Sequence, residues 1–207
     1  MNKYIIEGIG TFFLCLVVAL TGNPIAIGAV LCAMVYMGGY ISGGHYNPAV
    51  TLAVWIRGKI EAREAKMYAI SQVVGAIIAA LVYFTIKSST FVPTPGKNVD
   101  FIASLLVEIL FTFALATTVL HTATSDKTKN NQYYGLAIGL TLMAGAFAGG
   151  AISGGVYNPA IGLGTILVDL GNLSANIPHL LLYLIGPLTG GTLAGMVFNT
   201  VTQSKNV

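Results

Sequence analysis

The sequence predicts an all-α membrane protein with six transmembrane helices, two re-entrant half-helices and an inverted internal repeat. Three observations predict it. The chain is very apolar, its apolar runs fall into two length classes, and the tripeptide Asn-Pro-Ala occurs twice in matching surroundings. Of 207 residues, 55% are hydrophobic and only 8% are charged, against about 25% charged in soluble domains. A soluble fold of this length needs far more polar surface. The 25 glycines fall largely within the apolar runs, as is common in membrane helices.

A span takes about 20 mostly apolar residues. Six segments meet that length, at roughly 4–22, 25–42, 65–86, 101–121, 133–151 and 177–200. The first resembles a signal peptide in having Lys3 ahead of an apolar stretch. Glu7 interrupts that stretch, and Thr21-Gly22-Asn23-Pro24 lacks a small-residue cleavage pattern, so a retained first span is expected. Two further apolar runs, 47–56 and 158–168, are too short to cross. They begin at Asn47-Pro48-Ala49 and Asn158-Pro159-Ala160. Proline suits the first turn of a helix, and Asn just before it is a good N-cap. Both runs therefore read as half-helices that start in the middle of the membrane. Their lead-ins, Ser42-Gly43-Gly44-His45-Tyr46 and Ser153-Gly154-Gly155-Val156-Tyr157, are non-helical. Such backbone is tolerated at membrane depth only when buried in protein or lining a wet cavity. A cavity is implied.

The two halves repeat. Ser42–Ala49 and Ser153–Ala160 agree at seven of eight positions, differing only at His45 and Val156. Upstream, Glu7, Thr11 and Phe12 are echoed by Glu108, Thr112 and Phe113. Downstream, Tyr68, Gly75 and Ala79 are echoed by Tyr183, Gly190 and Ala194. Residues 1–207 read as one channel domain with repeat halves at about 1–99 and 100–207. Three spans per half is odd, so the second half enters from the opposite side. The result is an inverted repeat with broken helices meeting near the midplane.

Charge orients the chain. With the N-terminus in the cytoplasm, Lys3, Arg57, Lys59, Arg63, Lys66, Lys127, Lys129 and Lys205 lie inside, and only Lys87 and Lys97 lie outside. That is a positive-inside bias, and it puts both termini in the cytoplasm of a multi-pass protein of the plasma (inner) membrane. The net charge of +3 is not clustered, which argues against a nucleic-acid partner. Cys15 and Cys32 fall in apolar runs with no His or Cys at metal-ligand spacing. They read as small buried hydrophobes, and no metal or cofactor is expected. The pairs Gly135/Gly139, Gly186/Gly190 and Gly191/Gly195 stand four apart within spans and read as sites of close helix approach.

The chemistry follows from the half-helices. Each presents unsatisfied N–H groups and a positive dipole end at its N-terminus. Two such ends facing each other repel protons and other cations. The Asn47 and Asn158 carboxamides can donate hydrogen bonds into the lumen, so that a passing water accepts from both and relays no proton. Glu7 and Glu108 are acidic residues inside spans, where such groups face the bundle interior with partners. Each is expected to accept hydrogen bonds from a re-entrant loop. His45 either lines the pore or ties down its loop.

On these residues the chain resembles the major intrinsic protein family, the aquaporins and glycerol facilitators. Glu7-Gly-Ile-Gly-Thr-Phe12 is similar to the family's first-span motif, and Ser42-Gly-Gly-His-Tyr-Asn-Pro-Ala-Val-Thr51 to its first pore loop. Gln72-Val-Val-Gly-Ala76 resembles the third span, His121-Thr-Ala-Thr-Ser-Asp-Lys127 the end of the fourth, and Tyr183-Leu-Ile-Gly-Pro187 the sixth. The resemblance implies an aquaporin-like fold, one pore per subunit, a homotetramer and passive transport. It also implies a selectivity filter at Ile27, Ala146, Gly155 and Ile161. The family normally has Arg where this chain has Ile161, and narrow water filters have an aromatic and a His where it has Ile27 and Ala146. An apolar, widened filter is therefore expected. Without the Arg there are no fixed donors and no permanent charge at that point. Subtype cues conflict, since Gly162 replaces the Asp of glycerol facilitators and Leu184 the Trp of water channels, while Tyr183 is aquaporin-like. The reading is a passive channel for water and small neutral solutes such as glycerol, urea, ammonia or hydrogen peroxide. Its partners are then membrane lipid and those solutes. The rival is a poorly conducting, channel-like membrane protein with a structural role. An ion-coupled transporter lacks intramembrane charges for coupling, and no nucleophile, base or metal cluster suggests an enzyme.

Overall fold

The computed structural model describes residues 1–203; Lys205, one of the basic residues used for orientation, lies outside them. The order of helices is α1 (Asn2–Thr21), α2 (Pro24–Ser42), α3 (Pro48–Ile56), α4 (Ala62–Lys87), α5 (Phe101–Ala123), α6 (Tyr134–Ser153), α7 (Pro159–Val168) and α8 (Leu173–Gln203), with two single 3₁₀ turns between them. Six helices are long and apolar enough to cross a membrane, and α3 and α7 are the short pair. This is the predicted architecture, with most ends moved by one to three residues.

Local chemistry fixes the ends. Asn23 caps α2 by accepting from the amides of Ile25 and Ala26, with Pro24 in the first turn. Asp100 caps α5 by accepting from Ala103. Gly22, Gly43 and Gly154 close α1, α2 and α6 in the left-handed conformation, which glycine enters without steric cost. The start of α8 was expected at residue 177, next to Pro178. The helix begins at Leu173 instead and carries Pro178 and Pro187 inside it. Pro178 frees only the carbonyl of Ser174, which is exposed, so that helix start loses little.

Polarity is arranged inside out. Ile5, Ile9, Val74, Ile78, Leu106, Leu110, Leu136 and Leu140 are exposed, while Glu7, Thr11, Gln72, Ser104, Glu108 and Thr112 are fully buried. Helices apolar on their outer face and polar within suit a hydrocarbon solvent.

Packing repeats across a pseudo-two-fold axis. Helix α1 lies along α4 as α5 lies along α8, α2 pairs with α6 on the axis, α3 rests on α8, and α7 rests on α4. Each half-helix is thus held chiefly by a long helix of the other half. Small residues set the spacing. A Cβ at Gly75 would strike the carbonyl of Gly8, and one at the equivalent Gly190 would strike that of Ile109. At the axis, a Cβ on Gly28 would come within 2.7 Å of Gly139 O. These are backbone-to-backbone approaches that any side chain would block.

Candidate functional site

The two lead-in loops bring α3 and α7 nose to nose. Their backbones match: φ is 93°, 65° and 50° at Gly43, Gly44 and Tyr46, and 91°, 64° and 49° at Gly154, Gly155 and Tyr157. A tyrosine at positive φ is uncommon, so something must hold it. The Tyr46 amide donates to Glu7 Oε2 at 2.7 Å, and the Tyr46 hydroxyl to Met34 O at 2.8 Å. The Tyr157 amide donates to Glu108 Oε2 at 2.7 Å, and its hydroxyl to Gly145 O at 2.8 Å. Gly10 and Gly38 leave room for the Tyr46 ring, as Gly149 does for that of Tyr157; a Cβ there would clash.

The Glu7 and Glu108 carboxylates accept hydrogen bonds from the lead-in loops. Glu7 Oε1 accepts from the Ser42 hydroxyl at 2.6 Å and the His45 amide at 3.0 Å; Oε2 also accepts from Gln72 Nε2 at 2.8 Å. Glu108 Oε1 accepts from the Ser153 hydroxyl at 2.7 Å and the Val156 amide at 3.0 Å. Tyr68 and Tyr183 complete the frame by donating to Ser42 O and Ser153 O, each at 2.7 Å. Four donors meet Glu7 and three meet Glu108. The missing fourth has a cause: Pro187 stands where Gln72 stands in the first half.

The two asparagines do more than cap. Asn47 Oδ1 accepts from the Ala49 amide at 2.8 Å, and Asn158 Oδ1 from the Ala160 amide at 3.0 Å. That fixes each Nδ2 on the other side. Asn47 Nδ2 donates to Tyr157 O at 2.7 Å, and Asn158 Nδ2 donates to Tyr46 O at 2.9 Å. Each carboxamide therefore spends one N–H on stitching the two loops together and keeps one for the lumen, where the sequence suggested only lumen donation. Pro48 and Pro159 occupy the first helical turns, and Ala49 and Ala160 are wholly buried.

Three cavities lie end to end through this point. The central one has a volume of about 20 Å³, and its lining includes Ile27, His45, Asn47, Gly155, Val156, Asn158 and Ile161. About 10–15 Å³ holds one water, so the cavity has room for about one water at a time. His45 also lines a vestibule of about 660 Å³ on the face carrying both helix ends Asn2 and Gln203, with Lys59, Asp126 and Tyr134. We call this the terminal mouth. Ile27 and Gly155 also line a vestibule of about 400 Å³ at the opposite mouth, with Ala146 and the loop Phe91–Thr94. That loop is moored by Thr90, whose hydroxyl donates to Asp169 at 3.0 Å. Burial pushes the Asp169 carboxyl up, but donors from Asn172, Asn176 and Thr90 outweigh it and hold it below the ordinary carboxylate range.

The structure thus brings Ile27, His45, Asn47, Gly155, Asn158 and Ile161 to one lumen. Ala146 stands one step out in the vestibule, and Glu7 and Glu108 stand behind the loops. His45 both lines the passage and ties its loop, through Nδ1 at 3.1 Å from Thr51 Oγ1. Thr51 and Gln72 were not singled out as a pair from sequence. The signal available was that both lose their polar character in the second half, at Gly162 and Pro187.

A model of the major intrinsic protein family matches residues 11–198. A probable aquaporin NIP-type of Nicotiana alata is 32% identical over 99% of this chain and 79% of that protein. A glycerol uptake facilitator protein-like 6 of Lactiplantibacillus plantarum is 33% identical over 94% of this chain and 95% of that protein. The crystal structure of the aquaglyceroporin from Plasmodium falciparum superposes with a TM-score of 0.86 over 97% of this chain and 96% of that one, at 17% identity. At that identity the likeness speaks for the fold alone.

Proposed function

Because this chain belongs to the major intrinsic protein family, we propose that it forms a passive pore for water and small neutral solutes such as glycerol, urea, ammonia or hydrogen peroxide. It is an integral, multi-pass membrane protein and not an enzyme. The observation that carries the pore reading is the meeting of two Asn-capped half-helices beside a narrow cavity that shares lining residues with a vestibule at each end. The helix noses supply a positive centre against cations, and the free N–H of each carboxamide turns the permeating molecule.

We assign selectivity at the opposite mouth to Ile27, Ala146, Gly155 and Ile161, an apolar set with no fixed donor. Central positions go to Asn47, Pro48, Ala49, Asn158, Pro159 and Ala160, and loop bracing to Glu7 and Glu108. The chain acts as a single domain of two inverted halves, in the plasma membrane with both termini cytoplasmic and as a homotetramer. The basic residues near the terminal mouth support that orientation. The exposed apolar helix faces are compatible with lipid and with neighbouring subunits.

The test is stopped-flow light scattering on proteoliposomes of the purified chain. Water and glycerol permeability well above that of empty vesicles is expected. Permeability equal to that of empty vesicles would support the second reading, a poorly conducting protein with a structural role, which the narrowness of the central cavity favours.

A further inference from the structure

We propose that His45, at the terminal mouth, is a second point at which this pore discriminates between permeants, in addition to the apolar set assigned at the opposite mouth, and that Thr51 and Gln72 position it by fixing which ring nitrogen carries the proton. This rests on the channel reading above. It begins from an asymmetry. The two loops share backbone angles, carboxylate braces, tyrosine anchors and crossed asparagine bonds, yet one cluster has no counterpart. His45, Thr51 and Gln72 in the first half are replaced by Val156, Gly162 and Pro187 in the second.

The direction of the hydrogen bonds can be read in sequence. Gln72 Nε2 lies 2.8 Å from Glu7 Oε2 and 3.0 Å from Thr51 Oγ1. The reverse amide orientation would set its oxygen against the Glu7 carboxylate. Gln72 Oε1 is buried without a partner, so the amide is held through its N–H groups. Thr51 Oγ1 accepts from Gln72 and lies 3.1 Å from His45 Nδ1, and its own hydrogen has no other acceptor than Nδ1 among the described residues. Nδ1 is then an acceptor, and the proton of the neutral ring sits on Nε2. Nε2 lies on the side of the ring facing Gly43, a vestibule-lining residue, and has no protein partner among the described residues. An N–H donor therefore faces the passage where the central cavity meets the terminal vestibule.

Little else along the way can do this. In the central cavity the polar side chains are His45, Asn47 and Asn158, and the rest of the lining is hydrocarbon or glycine backbone. Thr94 is the one polar side chain of the opposite vestibule, and Ile161 gives no donor. A molecule entering a passage this narrow sheds water, and an unreplaced hydrogen bond in apolar surroundings is costly. The charge-bearing donor that an outer filter would supply is absent, so the imidazole N–H takes that part at the other end. Glycerol, with three hydroxyls to satisfy, depends on it more than water does.

The experiment compares glycerol and water permeability in proteoliposomes of the full chain. His45→Leu keeps bulk and removes the donor. Thr51→Val keeps the volume of that side chain but removes the hydroxyl that fixes the tautomer, and Thr51→Ser restores the hydroxyl. The glycerol-to-water ratio is expected to fall by about threefold or more in His45→Leu and Thr51→Val, the equivalent of one ordinary hydrogen bond, and to stay at the wild-type value in Thr51→Ser. A purely structural role would lower both fluxes in proportion and leave the ratio unmoved, which overturns the proposal. Should His45→Leu fail to reconstitute, the Thr51 pair decides alone. Wild-type vesicles no more permeable than empty ones would sink the channel reading itself, and this proposal with it.

Discussion

Glu7 and Glu108 are wholly buried, and backbone and side-chain donors surround their carboxylates. Hydrogen bonds to charged groups contribute about 1.5–3 kcal/mol each. Glu7→Gln removes the charge and points an amide N–H at donors, so a loss of at least about 2 kcal/mol is expected. The check is the temperature at which detergent-solubilised protein loses its monodisperse peak. Glu108→Gln should fall less, because three donors rather than four meet that carboxylate. Equal and negligible shifts would mean that the loops hold without their braces. The charged brace was readable from sequence, since a carboxylate in an apolar span demands partners. The asparagine stitch was not, because each Nδ2 bonds a carbonyl more than a hundred residues away. Ile161 carries its own test. It is 2% exposed against a cavity of about 20 Å³, so Ile161→Arg should cut glycerol flux more than water flux in the same vesicles. Unchanged glycerol flux would remove Ile161 from the filter. Mercurials should leave water flux intact, for Cys15 is wholly buried and Cys32 lies outside the lumen lining. Block that disappears in Cys15→Ser or Cys32→Ser would contradict this.

The elements depend on close backbone contact more than on side-chain interdigitation. Helix α8 presents Gly191 to the carbonyl of Ala49 and Gly195 to Ile56, whose Cβ lies 2.8 Å from where a glycine Cβ would stand. These contacts seat the half-helix α3 on α8. Gly191→Val should therefore lift α3 away and cost about 1–3 kcal/mol, the usual range for overpacking. It would be read as lower thermal stability together with lower water permeability per folded protein. Full permeability in Gly191→Val would show that α3 is held chiefly by its cap and loop. The half-helices were legible because Asn-Pro starts a helix and the runs that follow are too short to cross. The glycine pairs were legible as contacts, but not their partners, since spacing along one helix does not say which neighbour approaches. The early start of α8 was hidden by Pro178, which reads as a boundary in sequence and is tolerated inside the first turns.

The whole molecule sets two short dipoles against each other in an apolar wall, and the inverted repeat is what makes this arrangement. Inversion turns one half-helix up and the other down, so their positive ends meet rather than line up. The lining of the central cavity includes Ile161 and holds no Lys or Arg, so we expect exclusion of cations to fall on this centre. Asn158→Asp tests it directly. The variant keeps the oxygen that caps Ala160, loses the bond to Tyr46 O, and adds a negative charge beside both noses. Asn158→Ala also loses the bond to Tyr46 but adds no charge. If the dipoles form the barrier, cation leak measured with a pH-sensitive dye or by sodium flux should rise in Asn158→Asp by about tenfold, a barrier drop of about 1.4 kcal/mol, and rise far less in Asn158→Ala. Equal leak in the two would trace exclusion to the stitching of the loops. No leak in either would place the barrier away from the centre, for example among the charged residues of the terminal vestibule, Lys59 and Asp126.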